Sequence, residues 1–475
     1  MSLDPEDWQA LRLEAESALQ AGLQHLERIA EGRVWTPLPQ DLKTALAFGV
    51  PKEGIPLSDV RKALVELLPY GVGNTHPRFF GWVHGTGDPA GVLADIVASS
   101  MNANCGGRDH VGLYIERQVV DWLRGIMGFP DTASGLMVSG TSVATLIALK
   151  AARDQAFSFQ CRDDGITERF VAYAADGTHA CVGQAMDILG FGRTALRSVP
   201  LDREKRMNIT ALESMIALDD EAGLRPFAII GTAGAVNTGA IDDLEALAKL
   251  CQRRKIWFHI DGAFGASAVI VPELAHRLKG LGQADSIAFD LHKWWHVNYD
   301  AGCVLIRDRD IHLKSWSDRP DYLASGEALA AGAPWPTDFG PELSRGFRAL
   351  KVWAHLLIHG TEALAINIRK NIRQARALSD RIVEISDFEL SFEPPLNIVC
   401  FRLKEDGLDL DGLNAAAVAE VQRNGRAAPS TTRIDGNLVI RVNITNHRTS
   451  DDDLDILLDA LLEAGAKLAP DYRLS

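Results

Sequence analysis

The sequence predicts an α/β protein, a mostly parallel sheet of seven strands covered by helices on both faces, followed by a small α+β unit. Three observations carry this. Seven short apolar runs follow one another at residues 135–140, 170–175, 194–201, 227–233, 257–263, 286–292 and 303–308. Most of the segments between them are long enough for a helix, the pattern of crossover connections in a parallel sheet. Two of the runs also end abruptly in an ionisable side chain, Asp261 and Lys293, and in open α/β sheets the C-terminal strand edge is where ligands bind.

The elements follow in chain order. Residues 5–31 set Trp8, Leu11, Leu19, Leu23, Leu26 and Ile29 near one helical face, which needs a partner surface, most simply a second subunit. Leu57-Ser58-Asp59 opens a second helix that Pro69 and Gly71 close. The loop NTHPRFFGWVHGTG (74–87) mixes aromatics, His and Gly without a period; it lines a site or is merely structural. Helices are predicted at 93–101 and 113–127, separated by the loop NANCGGRD (102–109). A helix also fits the crossover at 272–282. Residues 317–340, rich in Pro, Gly, Ala and Ser, read as a lid. A long helix at 344–384 leads to strands within 388–403, a helix at 413–424, a strand at 437–444 and a closing helix at 451–464. The expected domains are an N-terminal helical segment (1–75) packed on a dimer partner, a large domain (76–365) and a small C-terminal domain (366–475).

Bulk properties narrow the function. A chain of 475 residues exceeds what one core usually serves. The net charge of −14 and the absence of a basic run argue against nucleic acid or an anionic membrane as partner. Six scattered cysteines without CxxC spacing indicate neither a zinc site nor a disulfide framework, and suit a reducing cytoplasm. The first thirty residues are acidic and amphipathic, and no apolar run is long enough to cross a bilayer, so a soluble, unsecreted protein is expected.

Lys293 and Asp261, thirty-two residues apart, fit one chemistry together. Pyridoxal phosphate (PLP) needs a lysine amine for its aldehyde and a fixed carboxylate to keep its ring nitrogen protonated. Either residue alone would read as a surface cation or an Asx-turn. The strand-turn-helix LMVSGTSVATLIALK (136–150) adds a phosphate cradle at Gly140, Thr141 and Ser142, although ordinary N-caps look the same. His179, after another strand, could stack on a pyridine ring and meet a substrate carboxylate. A zinc hydrolase using His259, Asp261 and His292 is the rival, but HExxH and CxxC spacings are absent and no metal is expected.

Together these residues resemble the PLP-dependent group II decarboxylases of the aromatic-L-amino-acid and glutamate decarboxylase type. The resemblance runs from HPRFFGW (76–82) nearly to the C-terminus, and its most specific blocks are HIDGAFGAS (259–267) and DLHKWWHVNYD (290–300). It implies a fold-type I, aspartate aminotransferase-like domain with a seven-stranded sheet, and homodimers with sites at the subunit interface. It implies Lys293 as the Schiff-base lysine, Asp261 on the ring nitrogen, His179 stacked on the ring, and Gly140, Thr141 and Ser142 at the phosphate. His292 would lie against the cofactor, Asp242 and Arg345 would support the site, and Tyr322 would be the lid tyrosine. Two departures concern the substrate. Ala235-Val236 stand where aromatic decarboxylases carry paired threonines, and the loops that would face substrate carry the polar set Trp82, His84, Asn102 and Asn104. The expected reaction is decarboxylation of an L-amino acid, aromatic or otherwise polar, to its amine, with hydroxylated aromatics preferred over phenylalanine. The rivals are a carbon–carbon lyase of the sphingosine-phosphate lyase type, an aldehyde-forming decarboxylase and a non-catalytic relative.

Overall fold

The computed structural model describes residues 2–318, 320 and 324–474. They fall into two compact units, Gly85–Arg376 with Pro394–Ile398, and Met1–His84 with Ala377–Glu393 and Val399–Ser475. The N-terminal segment groups with the C-terminal segments, and the chain passes from one unit to the other after Arg376.

The larger unit holds β1 (Ser134–Val138), β2 (Phe170–Ala175), β3 (Leu196–Val199), β4 (Arg225–Thr232), β5 (Trp257–Asp261), β6 (Ser286–Asp290) and β7 (Gly302–Ile306). Their order in the sheet is β1-β7-β6-β5-β4-β2-β3. The pairs from β3 through β6 are parallel, and β7 runs antiparallel to both β6 and β1. All residues of β2, β5, β6 and β7 are buried, so these strands carry continuous apolar runs rather than an alternation. One face is covered by the helix Thr141–Ala156, whose Ala144, Ile147, Ala148, Ala151 and Ala152 share a core with Val138, Ala174, Ala288 and Val304. Alanines at the contact let the helix axis approach the sheet closely, and each larger apolar side chain buried with them stabilises by about 1.5–3 kcal/mol.

The crossover from β5 to β6 departs from expectation. In place of an α-helix at 272–282 the chain makes three 3₁₀ turns, Gly265–Ile270, Pro272–Leu278 and Leu281–Gln283. Pro272 begins the second, and Gly280, at φ 99°, sits so close to the Leu244 backbone that a Cβ would lie 2.5 Å from its carbonyl carbon. A regular helix cannot be continued through those points. The long helix runs Arg348–Glu384 and is broken at Gly360, whose φ of 66° lies outside the helical region.

The smaller unit carries β8 (Phe388–Leu390), β9 (Ile398–Leu403), β10 (Ser430–Ile434) and β11 (Asn437–Asn443) in the order β10-β11-β9-β8, with helices Leu410–Asn424 and Asp451–Leu468. β10 was not expected. Its hairpin is nonetheless written in the two-residue turn Asp435-Gly436, where both residues have positive φ. The N-terminal helix Trp8–Glu27 buries none of its residues, and Arg61 of the helix Leu57–Glu66 reaches Glu14 at 2.8 Å. No helix among the described residues is long and apolar enough to cross a membrane.

Candidate active site

The parallel strands bring three chain segments to one sheet edge. β5 ends in Asp261, which pairs in register with Thr232 at the end of β4 and with Ala288 on β6. β6 ends in Asp290, and Lys293 follows three residues later. The reversed β7 sets Gly302 opposite both Asp290 and Val138, and so carries the end of β1 and its turn at Gly140 into the same place.

Asp290 ties these segments together, and sequence reasoning missed it. Its carboxylate is buried, with Oδ1 accepting from the Thr141 N–H at 2.7 Å and Oδ2 accepting from Lys293 Nζ at 2.9 Å. The signal was present in DLHK, an acid closing a buried strand just before the lysine. Burial alone would lower the Lys293 pKa, but the carboxylates of Asp290 and Asp261 outweigh it and hold the ammonium above its ordinary range. Asp261 is buried too, which pushes its carboxyl upward; the Ala263 N–H at 3.2 Å, Lys293 and His179 pull the other way. A buried carboxyl poised to share a proton is what a pyridine nitrogen requires.

His179 caps the helix Ala180–Ile188, its Nδ1 accepting from the Cys181 N–H at 3.2 Å while the ring stays exposed. His292 is fixed differently. The Ala301 N–H donates to its Nδ1 at 3.0 Å, its ring centroid lies 4.4 Å from that of Tyr299, and burial lowers its pKa. Tyr299, also unanticipated, accepts from the Gly85 N–H at 3.2 Å and lies in the fields of Lys293 and Asp290.

The turn Gly140-Thr141-Ser142 opens the helix Thr141–Ala156, and no side chain caps that helix. Apart from the Thr141 N–H, which Asp290 takes, its positive amino end favours an anion. Thr141 Oγ1, Thr178 Oγ1 and Thr232 Oγ1 are buried hydroxyls without a hydrogen-bond partner, each beside one of these strand ends. Buried hydroxyls of that kind are expected where a polar ligand completes the site. Residues and orphaned atoms together fit a phosphorylated pyridine aldehyde, with Lys293 for the aldehyde, Asp261 for the ring nitrogen and the turn for the phosphate.

The supporting residues act through the backbone. Asp242 accepts from the N–H groups of Met207 at 2.6 Å and Thr232 at 2.7 Å, which fixes the end of β4 beside Asp261; burial raises its pKa to about 6. Arg345 is buried behind β1, paired with Glu116 at 2.7 and 2.9 Å and donating to the carbonyls of Cys105 and Met137. Asn104 accepts from Gly106 N–H at 3.0 Å and Arg345 N–H at 2.9 Å, bracing the loop, and Asn102 is a left-handed helix C-cap with φ 47°. Trp82 and His84 belong to the other unit, where Phe79 and His84 stack with centroids 5.6 Å apart and Trp82 leans on both. Tyr322 lies outside the described residues.

Comparison with known proteins supports the same cofactor. The family described as the pyridoxal-dependent decarboxylase conserved domain matches residues 39–404. The chain is 34% identical over 468 residues to an aromatic-L-amino-acid decarboxylase of Bacillus atrophaeus, covering 94% of each. It is 27% identical to a 4-hydroxyphenylacetaldehyde synthase of Rhodiola rosea, over 87% of this chain and 85% of that one. A crystal structure of Oryza sativa TDC with PLP and tryptamine superposes with a TM-score of 0.91 at 25% identity, covering 98% of this chain and 100% of that chain.

Proposed function

The chain belongs to the pyridoxal-dependent decarboxylase family, a PLP-dependent carboxy-lyase acting on an amino acid, and we propose that its substrate is an aromatic L-amino acid, with a hydroxylated ring preferred. The observation that carries the site assignment is the buried Asp290, which holds the Lys293 amine and the Thr141 N–H together beside Asp261.

When bound, PLP supplies an aldehyde that an amine can occupy and a ring that takes up the electron pair left by departing carbon dioxide. Lys293 would contribute the amine to that aldehyde, and Asp290 at 2.9 Å keeps the nitrogen oriented. Asp261 holds a proton at the ring nitrogen. The Gly140-Thr141-Ser142 turn receives the phosphate, and the exposed face of His179 is free to stack and to meet the substrate carboxylate. Asp242 and Arg345 are positioning residues, one fixing the end of β4 and the other the back of β1.

Tyr322 is proposed, on the family resemblance alone, to deliver the proton to Cα from a closing lid that excludes water and oxygen. With Tyr322→Phe, amine output should fall and oxygen-dependent aldehyde should rise; unchanged amine output would assign that proton to another group. The homodimer rests on helix Ala90–Met101, whose apolar Leu93, Ile96, Val97 and Met101 are exposed in the single chain. Light scattering at the mass of one chain would remove it. A cytoplasmic location is supported by six free, buried cysteines.

The central test is carbon dioxide release from a panel of L-amino acids by wild type and Lys293→Ala. Wild type should release it faster from tyrosine and other hydroxylated aromatic amino acids than from phenylalanine, and the variant should lose borohydride-reducible cofactor and nearly all turnover. Best turnover with an aliphatic or acidic amino acid would overturn the substrate assignment; a variant that keeps reducible cofactor would overturn the lysine.

A further inference from the structure

In the larger unit, three side chains that the decarboxylase reading does not use converge on one point. His355 and His359 stand one helical turn apart in the helix Arg348–Glu384, with ring centroids 4.7 Å apart. Both turn toward Asp88, from the segment that precedes the helix Ala90–Met101. Asp88 Oδ2 contacts His355 Nδ1 and lies 3.6 Å from His359 Nε2. One ligand atom from each residue falls within 4.8 Å of the others.

From this arrangement we propose that Asp88, His355 and His359 bind a divalent transition-metal ion, with zinc the best match. Two imidazole nitrogens and one carboxylate oxygen form the borderline donor set that zinc takes, at bond lengths of about 2.0–2.2 Å, with solvent free to fill the fourth position. Burial favours the ion. Asp88 and His355 are buried while His359 is exposed, which gives a buried pair of ligands with an entry path. The carboxylate is also pre-aimed, since Oδ1 accepts from the N–H groups of Ala90 at 2.6 Å and Gly91 at 3.2 Å and leaves Oδ2 toward the imidazoles. Gly360, with φ 66°, breaks the helix directly after His359 and frees that ring from a continuing turn.

The ion would brace the lysine loop. Asp88 N–H donates to Asn298 Oδ1 at 3.0 Å, Thr86 Oγ1 lies 3.2 Å from His296 Nδ1, and Lys351 Nζ donates to the Tyr299 carbonyl at 3.0 Å. Metal at Asp88 therefore links the helix that carries His355 to the segment that follows Lys293, without touching the reacting groups.

The test uses holoenzyme stripped by a chelator, dialysed against zinc and assayed for metal by mass spectrometry, beside His359→Ala and the milder His359→Gln. Wild type should retain about one zinc per chain and unfold at a higher temperature with zinc than without. Both variants should keep the visible cofactor absorption, bind zinc at least about tenfold more weakly and show no thermal shift. Because cofactor content is matched, any zinc held by PLP itself appears equally in all three proteins. Equal zinc in wild type and variants, or none in wild type, would overturn the proposal.

Discussion

Asp290 does two things that are usually divided between residues. One oxygen holds a backbone N–H at the mouth of the phosphate turn and the other holds the amine of Lys293. Removing one member of a buried pair leaves the other charge uncompensated, at a cost of about 3–5 kcal/mol. Asp290→Ala is therefore expected to reduce kcat/KM by about a hundredfold or more, since each 1.4 kcal/mol is a factor of about ten, and to weaken PLP binding. Absorbance titration with PLP and initial rates check both; near-normal values would mean that Lys293 and Thr141 are held by other groups. At this scale Lys293, Asp261 and His179 were legible because each is an ionisable residue just past an apolar run. Asp290 was not, because an acid at the end of a buried strand acquires meaning only from Thr141, 149 positions away. Arg345 was legible only by resemblance, and its pairing with Glu116 spans 229 positions. The third member of the proposed metal cluster was hidden in the same way, since HLLIH is visible in the sequence but Asp88 lies 267 residues before His355.

Among the elements, the reversed strand β7 is what closes the site. Its first residue, Gly302, passes so near the phosphate turn that a Cβ there would lie 2.5 Å from Gly140 Cα and 2.8 Å from Asp290 Oδ1. Those contacts are with backbone and with a carboxylate already fixed by two partners, so neither can yield cheaply. Gly302→Ala should lower PLP affinity by tenfold or more, on the order of 1.4 kcal/mol, whereas Gly360→Ala, strained at φ 66° with nothing near its Cβ, should lower stability by about 1 kcal/mol and leave PLP binding alone. Cofactor titration and thermal melts of the two variants separate the effects, and equal PLP affinity in Gly302→Ala and wild type would refute the contact argument. Strands β2, β5, β6 and β7 were readable because burial on both faces forces near-continuous apolar runs, whereas β3 (LRSV) is mostly half-buried or exposed and was legible only within the run 194–201. β10 (STTRI) was not legible, since its residues alternate between exposed positions and buried or half-buried ones and resemble a polar loop. The crossover from β5 to β6 was misread as a helix because apolar spacing says nothing about how closely Gly280 must approach Leu244.

For the molecule as a whole, the groups that titrate abnormally set the dependence of stability on pH. Burial lowers His76 to about 4 and both His259 and His312 to about 3. Each binds its proton more readily unfolded than folded, so its contribution is complete above pH 6.5 and is lost as pH falls toward the folded value. Asp242, raised to about 6 by burial, acts in the opposite sense: its contribution is present below about 4 and is lost as pH rises through 6. Four lowered histidines, His292 included, outnumber the raised carboxyls of Asp242, Asp261 and Asp285 and favour loss of stability on mild acidification. His259 isolates the effect best. Its ring is fully buried, with Nδ1 2.8 Å from Ser286 Oγ and Nε2 without a partner, and Ser286 Oγ also accepts from Trp257 Nε1 at 2.8 Å. His259→Leu gives up one hydrogen bond, about 1 kcal/mol at neutral pH, but no longer has a proton to exclude. Per pH unit below 6.5 the wild type should lose up to about 1.4 kcal/mol more than the variant, close to 2 kcal/mol by about pH 5. Urea unfolding of both proteins at about pH 7.5 and pH 5 measures the difference: wild type should be the more stable at the higher pH and lose its lead at the lower, and parallel losses in the two proteins would show that His259 is protonated in the folded state.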